Sequence, residues 1–160
     1  MIALKNVLVA VDFGEASDGA LLYGRALATS FGATLHVIHI AENMFLRPVV
    51  GDPRGLEEAA VKRLHARLTD EDRRLLRARV VVEMSDDPAE AIVRYSKASD
   101  IDLIVTGTHG RTGVAHALLG SIAEHVVRTA SCPVLTVKRP EREFVVPDSD
   151  YCAVAVQRQP

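Results

Sequence analysis

A single doubly wound α/β domain, built on a mainly parallel five-stranded sheet, is the fold class predicted by three features of this 160-residue sequence. Five short runs rich in β-branched residues recur along the chain. Several are continuously apolar rather than alternating, as strands buried on both faces of a parallel sheet should be. Between them lie segments whose apolar residues recur at helical spacing. Strands that alternate with helices call for a layered sheet with crossover connections.

The elements follow in order. Asn6 to Val11 reads as the first strand, and Ala20, Gly24, Leu27 and Phe31 then space as one helical face. Thr34 to Ile40 is the second strand. The connection from Ala41 to Gly55 contains two prolines and two glycines, at a length where loops tend to be functional or mobile. Leu56, Ala60, Leu64 and Leu68 mark a second helical face, within a basic helical segment from Arg54 to Arg79 whose interspersed acids make it a mixed solvated surface. Arg79 to Met84 is the third strand. Asp87-Pro88-Ala89-Glu90 supplies an N-cap, a first-turn proline and an acidic third residue ahead of Ile92 and Tyr95. Ile101 to Thr106 is the fourth strand, and Ser121-Ile122-Ala123-Glu124 reads as a capping box that opens the last helix. Pro133 to Val137 is the fifth strand, so about four helices flank the sheet. Residues 1–139 form the domain. The tail, 140–160, is left open between a disordered end and an added edge strand at Tyr151–Val156.

Composition narrows the function. The chain is 48% hydrophobic and 25% charged, as ordinary globular domains are. A net charge of -2 carries no basic footprint for nucleic acid, and 4% aromatic residues offer little for base stacking. No apolar run approaches the roughly 18 residues of a membrane span, and "MIALKNVLVAVDFG" lacks a basic leader. A cytoplasmic protein without membrane or nucleic-acid partners is expected. Cys132 and Cys152 have no metal-type spacing.

In open α/β sheets ligands bind beyond the carboxyl ends of the strands, where strand order reverses. The first strand runs into Asp12 and "FGEAS"; the fourth runs into "GTHGRTGVAHALLGS", which holds Gly107, Gly110, Gly113 and Gly120. Without a Cβ, the backbone can bring N–H groups close to an anion, and a helix N-terminus at Ser121 adds unpaired donors. The P-loop pattern fails for want of a lysine, and G-x-G-x-x-G fails on spacing. The residues alone thus indicate a phosphate site in an α/β sheet.

Gly107-x-x-Gly110, nine residues, then Gly120-Ser121 matches G-x2-G-x9-G-S/T, and the chain resembles the ATP-binding universal stress proteins, of adenine nucleotide alpha-hydrolase-like fold. "NVLVAVDFGEASDGAL", "DLIVTGTHGRTG" and "GSIAEHVVRTASCPVLTVKR" are similar to the family's first strand, fourth strand and closing helix and strand. The resemblance implies strand order 3-2-1-4-5. It implies ATP, or ADP or AMP, as ligand, with Asp12 near adenine and ribose and the Ile40 backbone reading the base. Gly107 and Gly110 would then flank ribose and phosphates, with Gly120 and Ser121 holding the phosphates and Mg as a candidate companion ion. It further implies a homodimer through Pro133–Lys138 and an unidentified protein partner in a stress response. Two positions depart from the family: Gly14 where serine is common, and Asp86 where glycine is common.

Other candidates carry less. Arg111 could pair with a phosphate oxygen, and His109 could touch one. His36 and His39, three apart on a strand, point to opposite faces and cannot share an ion, so structural or surface roles are expected for both. His116 and His125 read as surface residues, and Ser121 lacks a base that would make it a nucleophile. No residue pair is spaced to activate water, so slow ATP hydrolysis at most is expected. A nucleotide-independent dimeric stress protein is the alternative, disfavoured by the intact motif. An adenylating or pyrophosphatase enzyme would need S-G-G-x-D-S or H-x-G-H near the first strand, which "VDFGEASDG" lacks.

Overall fold

The computed structural model of the chain describes residues 2–41, 53–108 and 120–138. Five strands form one sheet: β1 (Asn6–Ala10), β2 (Thr34–Ala41), β3 (Arg79–Met84), β4 (Leu103–Gly107) and β5 (Val134–Val137). Their order is β3-β2-β1-β4-β5 and every pairing is parallel. The sequence-predicted strands agree with these to within two residues at either end. The Tyr151–Val156 segment lies outside the described residues.

Among the described residues five helices accompany the sheet: α1 (Glu15–Phe31), α2 (Pro53–His65), α3 (Asp70–Leu75), α4 (Pro88–Ala98) and α5 (Ser121–Thr129). Burial explains the patterns that announced them. Val7, Leu8 and Val9 are all wholly buried, because consecutive side chains on a central parallel strand meet a helical layer on either face. Val7, Val9, Val11, Leu35 and Val37 pack with Ala20, Leu21 and Tyr23 of α1 and Leu64 of α2. Leu8, Ile38 and Ile104 pack on the opposite face with Ile92 and Val93 of α4 and Val126 of α5. α1 ends at Gly32, whose φ of 64° supplies the left-handed turn into β2.

Two expectations need correction. The segment from Arg54 to Arg79 is not one helix. Thr69 accepts a hydrogen bond from the Asp72 amide at 3.1 Å while Asp72 accepts one from the Thr69 amide at 2.8 Å, and this capping box starts α3 afresh. That adds a fifth helix to the four expected. Ser121 is likewise not an N-cap: that role falls to Gly120, whose extended backbone offers its carbonyl to the Glu124 amide at 2.9 Å, so Ser121 is the first helical residue and closes no capping box. Asp87 does cap α4, accepting from the Glu90 amide at 3.0 Å with Pro88 in the first turn.

Candidate functional site

The strand order reverses between β1 and β4, so the carboxyl ends of these neighbours open the crevice in which α/β sheets take ligands. Ala10 pairs with Thr106, which places Asp12 and Gly107 at the same end of adjacent strands. Asp12 is half-buried, and its Oδ1 accepts the Gly14 amide at 2.9 Å. Between them Phe13 has φ 66°, an uncommon conformation for a non-glycine residue, and the chain swings from β1 into α1.

Two helices reach this end of the sheet without side-chain caps. Gly14 caps α1 and Gly120 caps α5, and neither supplies a side-chain acceptor to the first amides. α3 and α4, by contrast, are capped by Thr69 and Asp87. Both uncapped termini are tied to the end of β4. A Cβ on Gly107 would stand 2.8 Å from the Ala16 carbonyl carbon and 2.9 Å from its Cβ, so this glycine is required by the approach of α1. The next residue, Thr108, accepts the Gly120 amide at 2.5 Å and donates its own amide to Val137 at 3.0 Å. The result is a set of backbone N–H donors and two helix dipoles directed at one strand end, a setting that favours an anion.

The end of β2 borders the same crevice and carries unpaired ladder positions. The β1–β2 ladder closes with the Val11 amide donating to Ile38 at 2.8 Å, and on the other side Ser85 donates to Ala41 at 3.1 Å. Backbone groups of successive residues in a strand point to opposite sides, so Ile40 turns its N–H and C=O toward β1, past the point where β1 pairing stops at Ala10. One donor and one acceptor side by side match the N1 acceptor and N6 donor of adenine.

Sequence reasoning underrated the surroundings of Phe13. His39 Nδ1 donates to the Val11 carbonyl at 2.7 Å, and its ring lies 4.3 Å from that of Phe13. Arg63 stacks 4.0 Å from the Phe13 ring centroid and Arg67 4.9 Å from it, with Arg67 also bridged to Asp18 at 2.8 Å. Nothing in the sequence spacing links residues so far apart; the left-handed turn at Phe13 brings them together. Gly110 and Arg111, with His109 and Gly113, lie outside the described residues. Ser121 is exposed on the first turn of α5, and Asp86 is exposed after β3, two strands from the crevice. No group of three or more His, Cys, Asp or Glu that could hold a metal occurs among the described residues. No helix among them is long and apolar enough to cross a membrane.

Residues 3–138 match the sequence profile of the universal stress protein family. The chain belongs to the universal stress protein family. A universal stress protein of Methanocaldococcus jannaschii is 31% identical over 150 residues, covering 87% of this chain and 85% of the relative. The solved universal stress protein UspA from Lactobacillus plantarum superposes with a TM-score of 0.72 at 21% identity, over 86% of this chain and 99% of that one. Two further universal stress protein structures share the fold at 20% identity. One is in complex with cAMP (TM-score 0.63; 85% of this chain, 98% of that one). The other, from Archaeoglobus fulgidus, is in complex with dAMP (TM-score 0.56; 86% and 100%).

Proposed function

We propose that this universal stress protein is a cytoplasmic, nucleotide-dependent regulatory module of a stress response that binds ATP in the β1–β4 crevice. The observation that carries the reading is the pair of uncapped helix N-termini, α1 and α5, joined through Gly107 and Thr108 at the end of β4. The complexes of two relatives with cAMP and dAMP support an adenine nucleotide as the ligand class. In this reading Ile40 reads the base through its backbone, Asp12 meets the ribose, and Gly110, Arg111, Gly120 and Ser121 hold the phosphates, with Mg as counterion.

Charge-assisted hydrogen bonds contribute about 1.5–3 kcal/mol each. Two or three of them with a buried adenine are enough for micromolar affinity, about −8 kcal/mol. Guanine presents an acceptor and a donor in the reverse order at the Ile40 backbone, so GTP should bind at least about tenfold more weakly, the worth of one mispaired hydrogen bond. Calorimetry with ATP, ADP, AMP and GTP, with and without Mg, tests both statements. Absence of ATP binding at millimolar nucleotide would sink the reading, and Gly110→Val should abolish binding with the fold intact. Gly107→Ala is not a clean probe, because the added Cβ collides with the backbone of α1.

The dimer contact in this proposal is β5. Among the described residues it is an edge strand whose Pro133 and Val137 carbonyls accept from Ile104 and Thr108, so the alternation leaves the backbone groups of Val134 and Thr136 facing outward for a second copy.

A further inference from the structure

The β1–β2 ladder ends beside one imidazole. In a parallel ladder continued by one step, the Val11 carbonyl would accept the Ile40 amide, and the Ile40 carbonyl would accept the Phe13 amide. Neither pairing forms: β1 stops at Ala10, and the Val11 carbonyl accepts from His39 Nδ1 at 2.7 Å. A carbonyl can only accept, so Nδ1 carries the proton. The ring lies against that of Phe13, 4.3 Å away, whose φ of 66° takes the chain out of strand geometry. Phe13 is in turn covered by Arg63 and by Arg67, which is anchored on Asp18. His39 and Phe13 pack against the α1–α2 face, whereas Ile40 packs against the α4–α5 face.

We propose that His39 is the positioning residue that keeps the ladder open, and that by occupying the Val11 carbonyl it frees the Ile40 backbone to read an adenine edge. Its role in base selectivity rests on the nucleotide-binding reading above; its role in holding the ladder does not. Asn places an N–H near the position of Nδ1 and substitutes for His39, whereas a β-branched apolar residue lets the Val11 carbonyl take the Ile40 amide. The ladder then closes by one step and the base loses its donor.

Amide hydrogen exchange of Ile40 in the ligand-free full chain, compared among the protein as it is, His39→Val and His39→Asn, is the decisive measurement. His39→Val should slow exchange at Ile40 at least about tenfold, the worth of one new backbone hydrogen bond, while His39→Asn should leave it within about threefold. In calorimetry, His39→Val should lose about tenfold in ATP affinity and a similar factor in preference for ATP over GTP, with Asn restoring both. Unchanged Ile40 exchange in His39→Val overturns the proposal, as does an equal loss of ATP affinity in both variants. If the unmodified chain binds no adenine nucleotide, the exchange comparison still decides the role of His39, and what fails is the nucleotide reading alone.

Discussion

His36 shows what a single side chain contributes when the fold places it against its chemistry. It is 1% exposed on β2; its Nδ1 shares a 2.8 Å hydrogen bond with the Tyr95 hydroxyl of α4, and its Nε2 is buried without a partner among the described residues. Burial first, and the charge of Arg79 second, disfavour the imidazolium and lower its pKa from 6.5 to about 4. The unfolded chain therefore takes up a proton that the folded chain refuses. Stability from this group is complete above pH 6.5 and is lost as pH falls from 6.5 toward 4, at about 1.4 kcal/mol per pH unit, or about 3 kcal/mol in all. Thermal melts between pH 7 and pH 4.5 should fall by roughly 10 °C from this source, and His36→Leu should flatten that slope. An equally steep slope in the variant would assign the acid sensitivity elsewhere. The sequence placed His36 and His39 on opposite faces, which the structure bears out. It did not distinguish the buried core histidine from the one at the crevice, because alternation assigns faces and says nothing of what covers them.

At the scale of elements, α1 and α3 are joined through one buried carboxylate. Asp72 is 1% exposed and accepts from Arg25 Nε at 2.6 Å and Nη2 at 2.8 Å, while the same Nη2 donates to the Arg67 carbonyl at 3.1 Å. Burial alone would raise the Asp72 carboxyl. The Arg25 hydrogen bonds, then those from Thr69 together with the Arg25 charge, outweigh it and hold the pKa below the usual carboxylate value. The contribution is present above the ordinary value of 3.8 and is lost as pH falls through the lowered one. Asp72→Ala removes the α3 capping box as well as the ion pair and leaves Arg25 unpaired, so it should cost about 3 kcal/mol in urea unfolding. Asp72→Asn, which can still accept from Thr69 and Arg25, should cost less; equal costs would argue that the charge alone matters. The break between α2 and α3 was missed in the sequence because Thr69-Asp70-Glu71-Asp72 sits in a uniformly charged stretch. There the acidic N3 residue of a capping box does not stand out from its neighbours.

For the whole molecule, the open question is what meets the outer edge of β5. Thr136 directs its amide away from β4, so proline there removes no ladder bond yet blocks a second strand. If the dimer forms through this edge, Thr136→Pro should turn a dimer into a monomer in sedimentation while ATP affinity stays within about threefold, a shift well below the worth of one hydrogen bond. A dimer that survives the substitution places the interface on another surface.

The sequence by itself determined the strands, their parallel character and the two strand ends that carry Asp12 and Gly107; that the first and fourth strands are neighbours was implied only by the family resemblance, and the sheet shows it. The sequence could do so because those features depend on local signals: continuous apolar runs, proline and glycine punctuation, and the Asp12 and Gly107 strand ends. Only the tertiary structure decided that Gly107 serves the approach of α1, that Gly120 rather than Ser121 caps α5, and that His39 donates to the Val11 carbonyl at the end of the β1–β2 ladder. Each of these depends on a contact between separate segments: Gly107 on Ala16, the extended Gly120 on the bond of its amide to Thr108, and His39 on Val11. Its physical cause, a missing Cβ, an extended carbonyl or an imidazole on a backbone oxygen, exists only once the sheet has brought the partners together.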